Sequence, residues 1–188
     1  FWPGEAPLTG ADLLALSPEL ILLIAGTLIL AVDLIMGRER TRRLVPALAS
    51  AGLLIALVAV FLIQGSDAPV ATMLTVDDFA LFFQVIALAG MALVVLATMG
   101  YIEKRTRYSG EFYALLLAAA LAMTVAVSAN NLVLIYLGLE FLSITSYVLA
   151  GFLRADRRSN EAAMKYFLYG STASAIMLYG FSLLYGIA

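Results

Sequence analysis

Two charged residues, Glu140 and Lys165, lie inside long apolar runs, and they are the residues best suited to chemistry. At ~1.5 Å per helical residue, Glu140 lies ~14 Å from Asn131 and ~21 Å from Arg154, and Lys165 lies ~10 Å beyond Arg158. A charge at mid-bilayer costs about 2.5–3.5 kcal/mol on insertion scales, and such residues usually mark ion or proton pathways. A carboxylate and an ammonium on sequential antiparallel helices can pair, and such a pair could relay a proton.

Polar side chains extend both positions into stripes along their helices. They are Tyr136, Ser143 and Tyr147, which share a helical face with Glu140, and Tyr169 and Thr172, which follow Lys165. Simpler interpretations stay open for both charges. The long stem of Lys165 could carry its ammonium to the membrane surface, and Glu140 could be a neutral acid that is hydrogen-bonded within a bundle.

The elements that position these residues are predicted to be membrane-spanning helices. Of the 188 residues, 63% are hydrophobic and only 13% are charged, with a mean hydropathy of +1.01. A soluble domain is about half apolar, so lipid must cover the excess. Each run approaches the ~20 residues that a span needs, and open strands are excluded in lipid. The fold class is therefore all-α, a polytopic bundle. The six runs are Pro18–Met36, Leu44–Ile63, Phe79–Tyr101, Glu111–Val127, Asn131–Leu153 and Glu161–Ile187.

The charge pattern predicts the orientation of the chain in the membrane. Ten of the eleven Lys and Arg residues lie in the first, third and fifth loops. The positive-inside rule places these loops in the cytoplasm and both ends in the periplasm. We expect a periplasmic segment over 1–16, spans one to three over 17–108, and spans four to six over 109–188. The short loop between spans four and five contains Asn131, a good N-cap residue, so these two helices should be adjacent and antiparallel.

The composition also excludes several functions. The chain contains no Cys and no His, so it cannot hold thiolate-bound iron–sulfur clusters, Cys/His zinc sites or a His-bound haem. The basic loops are short and are explained by topology, so nothing indicates a nucleic-acid partner. Four other carboxyls have ordinary interpretations. Glu19, Glu111 and Glu161 suit first helical turns, and Asp33 suits interfacial water or a neighbouring helix.

Several stretches of the sequence resemble subunit N of bacterial NADH:quinone oxidoreductase (respiratory complex I). Residues 128–143 read SANNLVLIYLGLEFLS and residues 159–167 read SNEAAMKYF, and residues 147–152 and 174–186 continue the resemblance. The second stretch favours subunit N over its paralogues L and M. Residues 17–20, with Asp33 later in the same run, are similar to the first helix of that subunit.

The resemblance implies an antiporter-like fold of about fourteen helices, with two inverted repeats of about five helices each. Glu140 falls on the family's fifth-helix Glu and Lys165 on its sixth-helix Lys, which implies a catalytic role for both in proton translocation. It implies no cofactor in this chain, because quinone, FMN and iron–sulfur clusters belong to other subunits. It also implies a location in the bacterial inner membrane beside subunits M and K. The chain ends before the family's broken seventh helix, so we expect it to be part of a longer subunit.

The sequence is also compatible with two other functions. A subunit of a multi-subunit Na⁺/H⁺ antiporter would share the Glu and Lys positions, although the residues around Lys165 argue against it. A purely structural membrane scaffold would tolerate Gln and even Leu at Glu140.

Overall fold

The computed structural model describes residues 10–36, 38–63, 69–70 and 73–187, which form eight helices and one small hairpin. The elements are α1 (Gly10–Ala15), α2 (Ser17–Ile35), α3 (Arg38–Ile63), β1 (Pro69–Val70), β2 (Leu74–Thr75), α4 (Asp78–Thr98), α5 (Ile102–Arg105), α6 (Ser109–Ser128), α7 (Leu132–Ala150) and α8 (Arg157–Ile187). Six of these helices are long and apolar enough to cross a membrane: α2, α3, α4, α6, α7 and α8. The prediction of an all-α bundle with six spans is therefore confirmed.

The ends of several helices follow from local sequence. The Asp77 side chain accepts a hydrogen bond from the Ala80 amide at 2.8 Å and caps α4. The Asn131 side chain caps α7 in the same way. The third predicted span ends at Thr98 rather than Tyr101, because Gly100 adopts a φ of +76° that breaks the helix.

Two short helices and the starts of two long helices were not predicted. The helix α3 begins at Arg38 rather than Leu44, so the basic residues of the first predicted loop lie in its first turns. Neither α1 nor α5 is long enough to give a hydrophobic period. The helix α8 begins at Arg157, where the Asp156 carboxylate accepts a hydrogen bond from the Arg158 amide at 2.9 Å. Glu161 therefore lies in the second turn of α8, and its predicted place in the first turn is wrong. Glu111 does lie in the first turn of α6 and is exposed.

The core of the bundle lies between α2, α3, α4 and α6. Its largest fully buried apolar side chains include Leu22, Leu53, Leu88, Tyr113 and Leu117. The helix α7 packs against α6, which confirms that these two helices are adjacent, and α8 packs against α7. Burial falls along this series, and none of the described residues of α8 is fully buried.

The three basic loops meet at one end of the bundle. Arg42 and Arg43 line a cleft with Glu103, and Arg107 lines a second cleft with Arg154. At the opposite end, β1 pairs with β2, and the Asn130 amide donates to the Met73 carbonyl at 2.8 Å. Residues 64–68 and 71–72, which flank β1, lie outside the described residues.

Candidate functional site

Glu140 lies in the third turn of α7, within a helix whose composition suits a membrane span. Its residue is half-buried, and its Oε1 atom is buried without a hydrogen-bond partner among the described residues. A buried carboxyl oxygen that lacks a partner is costly and rare in folded proteins. Such an atom is a site where a proton, a water molecule or another polar group can bind.

The polar stripe around Glu140 lies on the side of α7 that faces α8. Tyr136, at one end of the stripe, packs its ring at 6.3 Å from that of Phe181 on α8. Tyr147, at the other end, packs its ring at 4.7 Å from Tyr166 and 5.8 Å from Phe167. Because Glu140 and Ser143 fall between these two tyrosines on the same helical face, they also point towards α8. The stripe predicted on α7 thus lies on the helical face whose two tyrosines contact α8.

Lys165 lies on a different face of α8. Its ammonium donates to Glu161 one turn earlier, and both side chains are mostly exposed. Tyr169 and Thr172 are also exposed, and with Lys165 they line an open groove along α8. The three polar residues predicted on this helix thus share one face, which no other described helix covers.

The register of α7 against α8 separates the two charged residues along the helix axes. Tyr147 lies level with Phe167, and Tyr136 lies level with Phe181. Interpolation places Glu140 level with about residue 176, some 11 residues or ~16 Å from Lys165 at 1.5 Å per residue. This exceeds the combined reach of the two side chains. Glu140 and Lys165 are not paired directly in this structure, but Tyr147 brings the stripe of Glu140 to the level of Lys165.

A buried polar cluster that the sequence analysis missed lies between α2, α4 and α6. Glu19, interpreted as a first-turn residue, is buried, and its Oε1 atom accepts a hydrogen bond from the Gln84 amide nitrogen at 3.0 Å. The same nitrogen donates to the Ser128 hydroxyl at 2.8 Å. The sequence signal that could have revealed this cluster was Gln84, an uncharged polar residue within the apolar third run.

The Asp33 carboxyl lies against Gly110 on α6, where an added Cβ would overlap it. Asp33 therefore contacts a neighbouring helix, which was one of the two interpretations of this residue.

The fold and the stripe define a multi-pass helical membrane protein with a buried carboxyl in one of its spans. Residues 129–188 match a family model described as NADH:quinone oxidoreductase/Mrp antiporter, transmembrane. The matched segment contains both Glu140 and Lys165. The chain therefore belongs, over this segment, to that antiporter-like membrane family.

Curated relatives narrow the comparison to one kind of subunit. The chain is 42% identical over 173 residues to NAD(P)H-quinone oxidoreductase subunit 2 of Microcystis aeruginosa, which covers 91% of the chain and 34% of that protein. It is 39% identical to NADH-quinone oxidoreductase subunit N of Heliobacterium modesticaldum, over 92% of the chain and 37% of that protein. The subunit N of Desulfitobacterium hafniense is 40% identical, over 94% of the chain and 36% of its own length. The chain thus spans about a third of the length of the curated relatives that it matches.

Proposed function

We propose that the protein is a proton-translocating, non-redox membrane subunit of an NADH:quinone oxidoreductase, in which Glu140 binds and releases protons inside the bilayer. The observation that carries this proposal is the buried, unpartnered Oε1 atom of Glu140 within a polar stripe of a membrane helix. Ionisable residues in membrane spans are rare and commonly belong to proton relays. The names of the relatives support a quinone oxidoreductase as the enzyme complex.

The stripe on α7 offers a route between the two charged residues. A proton that leaves the Glu140 carboxylic acid passes Ser143 and Tyr147, whose hydroxyls can each donate and accept a hydrogen bond. The Tyr147 hydroxyl lies beside Gly170 on α8, where an added Cβ would overlap it. Water completes the steps that the side chains do not span. Tyr136 extends the same face towards the other end of α7.

Lys165 lies at the far end of this route and changes partners during the cycle. In the structure its ammonium is paired with Glu161. The face that carries Lys165, Tyr169 and Thr172 is open, and the relatives are about three times as long as this chain. In a subunit of that length, further helices cover this face and give Lys165 a second partner. Release from Glu161 then lets Lys165 respond to the charge at Glu140.

The surroundings of the subunit follow from the same proposal. The basic loops at one end of the bundle face the cytoplasm and the opposite end faces the periplasm, as the positive-inside rule requires. Subunits M and K of the complex are the neighbours in the inner membrane. In this proposal quinone, FMN and iron–sulfur clusters bind to other subunits, and this chain has no Cys or His with which to hold a cluster.

Glu140→Gln tests the relay in the complete subunit within its assembled complex. Gln keeps the size of the side chain and removes its titratable proton. We expect NADH-driven proton uptake into inverted membrane vesicles to fall at least severalfold, while the amount of assembled complex stays unchanged. Glu111→Gln is the matched control, because Glu111 is exposed at the start of α6. Pumping at the control level in a fully assembled Glu140→Gln complex would remove Glu140 from the mechanism.

A second function is supported by the description of the family model, which also covers Mrp antiporters. A native gel of solubilised membranes with an epitope tag on this subunit distinguishes the quinone oxidoreductase from the antiporter. Comigration with a very large band that reduces a dye at the expense of NADH supports the quinone oxidoreductase. A smaller tagged band without that activity, together with Na⁺-dependent proton exchange, supports the antiporter.

A further inference from the structure

The cluster of Glu19, Gln84 and Ser128 combines deep burial with unsatisfied hydrogen-bonding capacity. Their exposed fractions are 8%, 1% and 3%, so each residue is more than nine-tenths buried. The Gln84 amide nitrogen bridges the Glu19 Oε1 atom and the Ser128 hydroxyl. The Glu19 Oε2 atom and the Gln84 Oε1 atom have no partner among the described residues. Two acceptor oxygens thus lie in one buried cluster without a hydrogen-bond partner, although the Glu19 backbone amide and the Thr124 hydroxyl lie near the carboxyl.

The surrounding elements provide no positive charge for this carboxyl. Every Lys and Arg in the chain lies in the three basic loops or at Lys165, and the basic loops are at the other end of the bundle. The charged groups of the elements packed around Glu19 are acidic: Asp12 on α1, and Asp77 and Asp78 at the start of α4. Thr124 lies buried beside the carboxyl on α6, and its hydroxyl donates to the Leu121 carbonyl at 3.0 Å. Glu5 and Asp67 lie outside the described residues.

We propose that Glu19 is a proton-binding site, a carboxylic acid that is held between α2, α4 and α6 and exchanges its proton with water at the end of the bundle opposite the basic loops. A proton on Oε2 removes the uncompensated charge and supplies the donor that this oxygen lacks. A neutral acid can then donate to the Gln84 carbonyl oxygen or to a bound water molecule, since either amide orientation is compatible with the cluster.

The position of the cluster gives the proton a short path to water. Glu19 lies in the first turn of α2 and Ser128 is the last residue of α6. Among the described residues, β2 and the following Val76, which is 3% exposed, lie at this end of the bundle, where Leu74 bridges to Ala129. The site is also separate from the proposed relay, because Glu140 points to α8 and the cluster lies on the far side of α6. It does not depend on the proposed function of Glu140.

Infrared difference spectroscopy of the intact membrane complex tests this proposal directly. The wild-type protein should show the carbonyl stretch of a protonated carboxylic acid that is sensitive to deuterium exchange and loses intensity as the pH rises. Glu19→Gln should abolish this band. Glu111→Gln, at an exposed carboxylate of α6, should leave it intact. Gln84→Leu should move the band to higher frequency, because the amide hydrogen bond to the carboxyl is lost.

Each outcome of this experiment either supports or overturns the proposed proton-binding site at Glu19. The site is supported if the band is lost in Glu19→Gln and retained in Glu111→Gln. Where Glu19→Gln does not assemble, the frequency shift in Gln84→Leu supports the site. Superimposable spectra of the wild type, Glu19→Gln and Gln84→Leu at every pH where the complex is intact would overturn it. Loss of the band in Glu111→Gln as well would overturn it too, because the signal would then not report Glu19.

Discussion

The contact between α6 and α7 that positions Glu140 depends on Gly138. A Cβ added to Gly138 would lie 2.9 Å from both Cα and Cβ of Ala126 and 3.1 Å from its backbone nitrogen. Two of these three atoms belong to the backbone, so no side-chain rotation relieves the clash. Gly138→Ala must therefore push α7 away from α6. Glu140 lies only two residues further along and moves with α7.

The expected cost of Gly138→Ala follows from two opposing effects. Overpacking of a close contact costs about 1–3 kcal/mol. Replacement of a helical Gly by Ala contributes up to about 1 kcal/mol in the other direction. Gly90→Ala isolates the second effect, because Gly90 lies within α4 and a Cβ there would meet nothing within 4 Å. We therefore expect Gly138→Ala to be less stable than Gly90→Ala by about 1–3 kcal/mol.

Reversible unfolding of the purified protein by SDS in mixed micelles measures this difference. Adding Ala126→Gly to Gly138→Ala should restore only part of the loss, because the Cα and nitrogen of residue 126 remain in the way. Equal stability of Gly138→Ala and Gly90→Ala would refute the close approach of α6 and α7. Complete recovery in the double variant would show that the side chain of Ala126, and not its backbone, sets the distance.

Two hydrogen bonds give further predictions for the same unfolding measurement. Asn131→Ala removes the side-chain cap of α7, which accepts a backbone hydrogen bond at 2.7 Å, and should lower the free energy of unfolding by about 0.5–2 kcal/mol. The control is Asn130→Ala at the exposed neighbour, which should be close to neutral. An equal loss of stability in both variants would exclude the cap as the cause. Tyr113→Phe removes the hydroxyl that donates to the Glu103 carboxyl at 2.9 Å and should cost about 1.5–3 kcal/mol. Tyr101→Phe at an exposed ring is its control, and a Tyr113→Phe protein as stable as this control would contradict the contribution of the bond.

The spans and caps were predictable because their causes are local. An apolar run of about 20 residues between polar loops defines a span without knowledge of its neighbours. Asn131 caps α7 through atoms three residues apart, and the short loop before it brings α6 and α7 together. The pairing of Lys165 with Glu161 is also local. The two residues are four apart in a favourable order for a helical ion pair, although the sequence analysis considered them separately.

The cluster around Glu19 could not be predicted in the same way. Gln84 and Glu19 are 65 residues apart, and their contact requires α2 and α4 to pack at one particular rotation. A glutamate in a first helical turn satisfies the helix dipole whether it faces water or a neighbour, so its position along the helix does not reveal its burial. The same limit applies to the α7–α8 register, which depends on where Tyr136 and Tyr147 meet rings on α8.

That register changes what a relay between Glu140 and Lys165 requires. A direct pair would couple the two charges through contact, so a shift of one side chain would be enough to break it. At ~16 Å along the helices, coupling must instead pass through groups that lie between them. The stripe on α7 supplies such groups at one face of α8, whereas Lys165 occupies another face and is held by Glu161. In the relay proposed above, proton movement therefore depends on when Lys165 leaves Glu161, and groups that cover the open face of α8 set that moment.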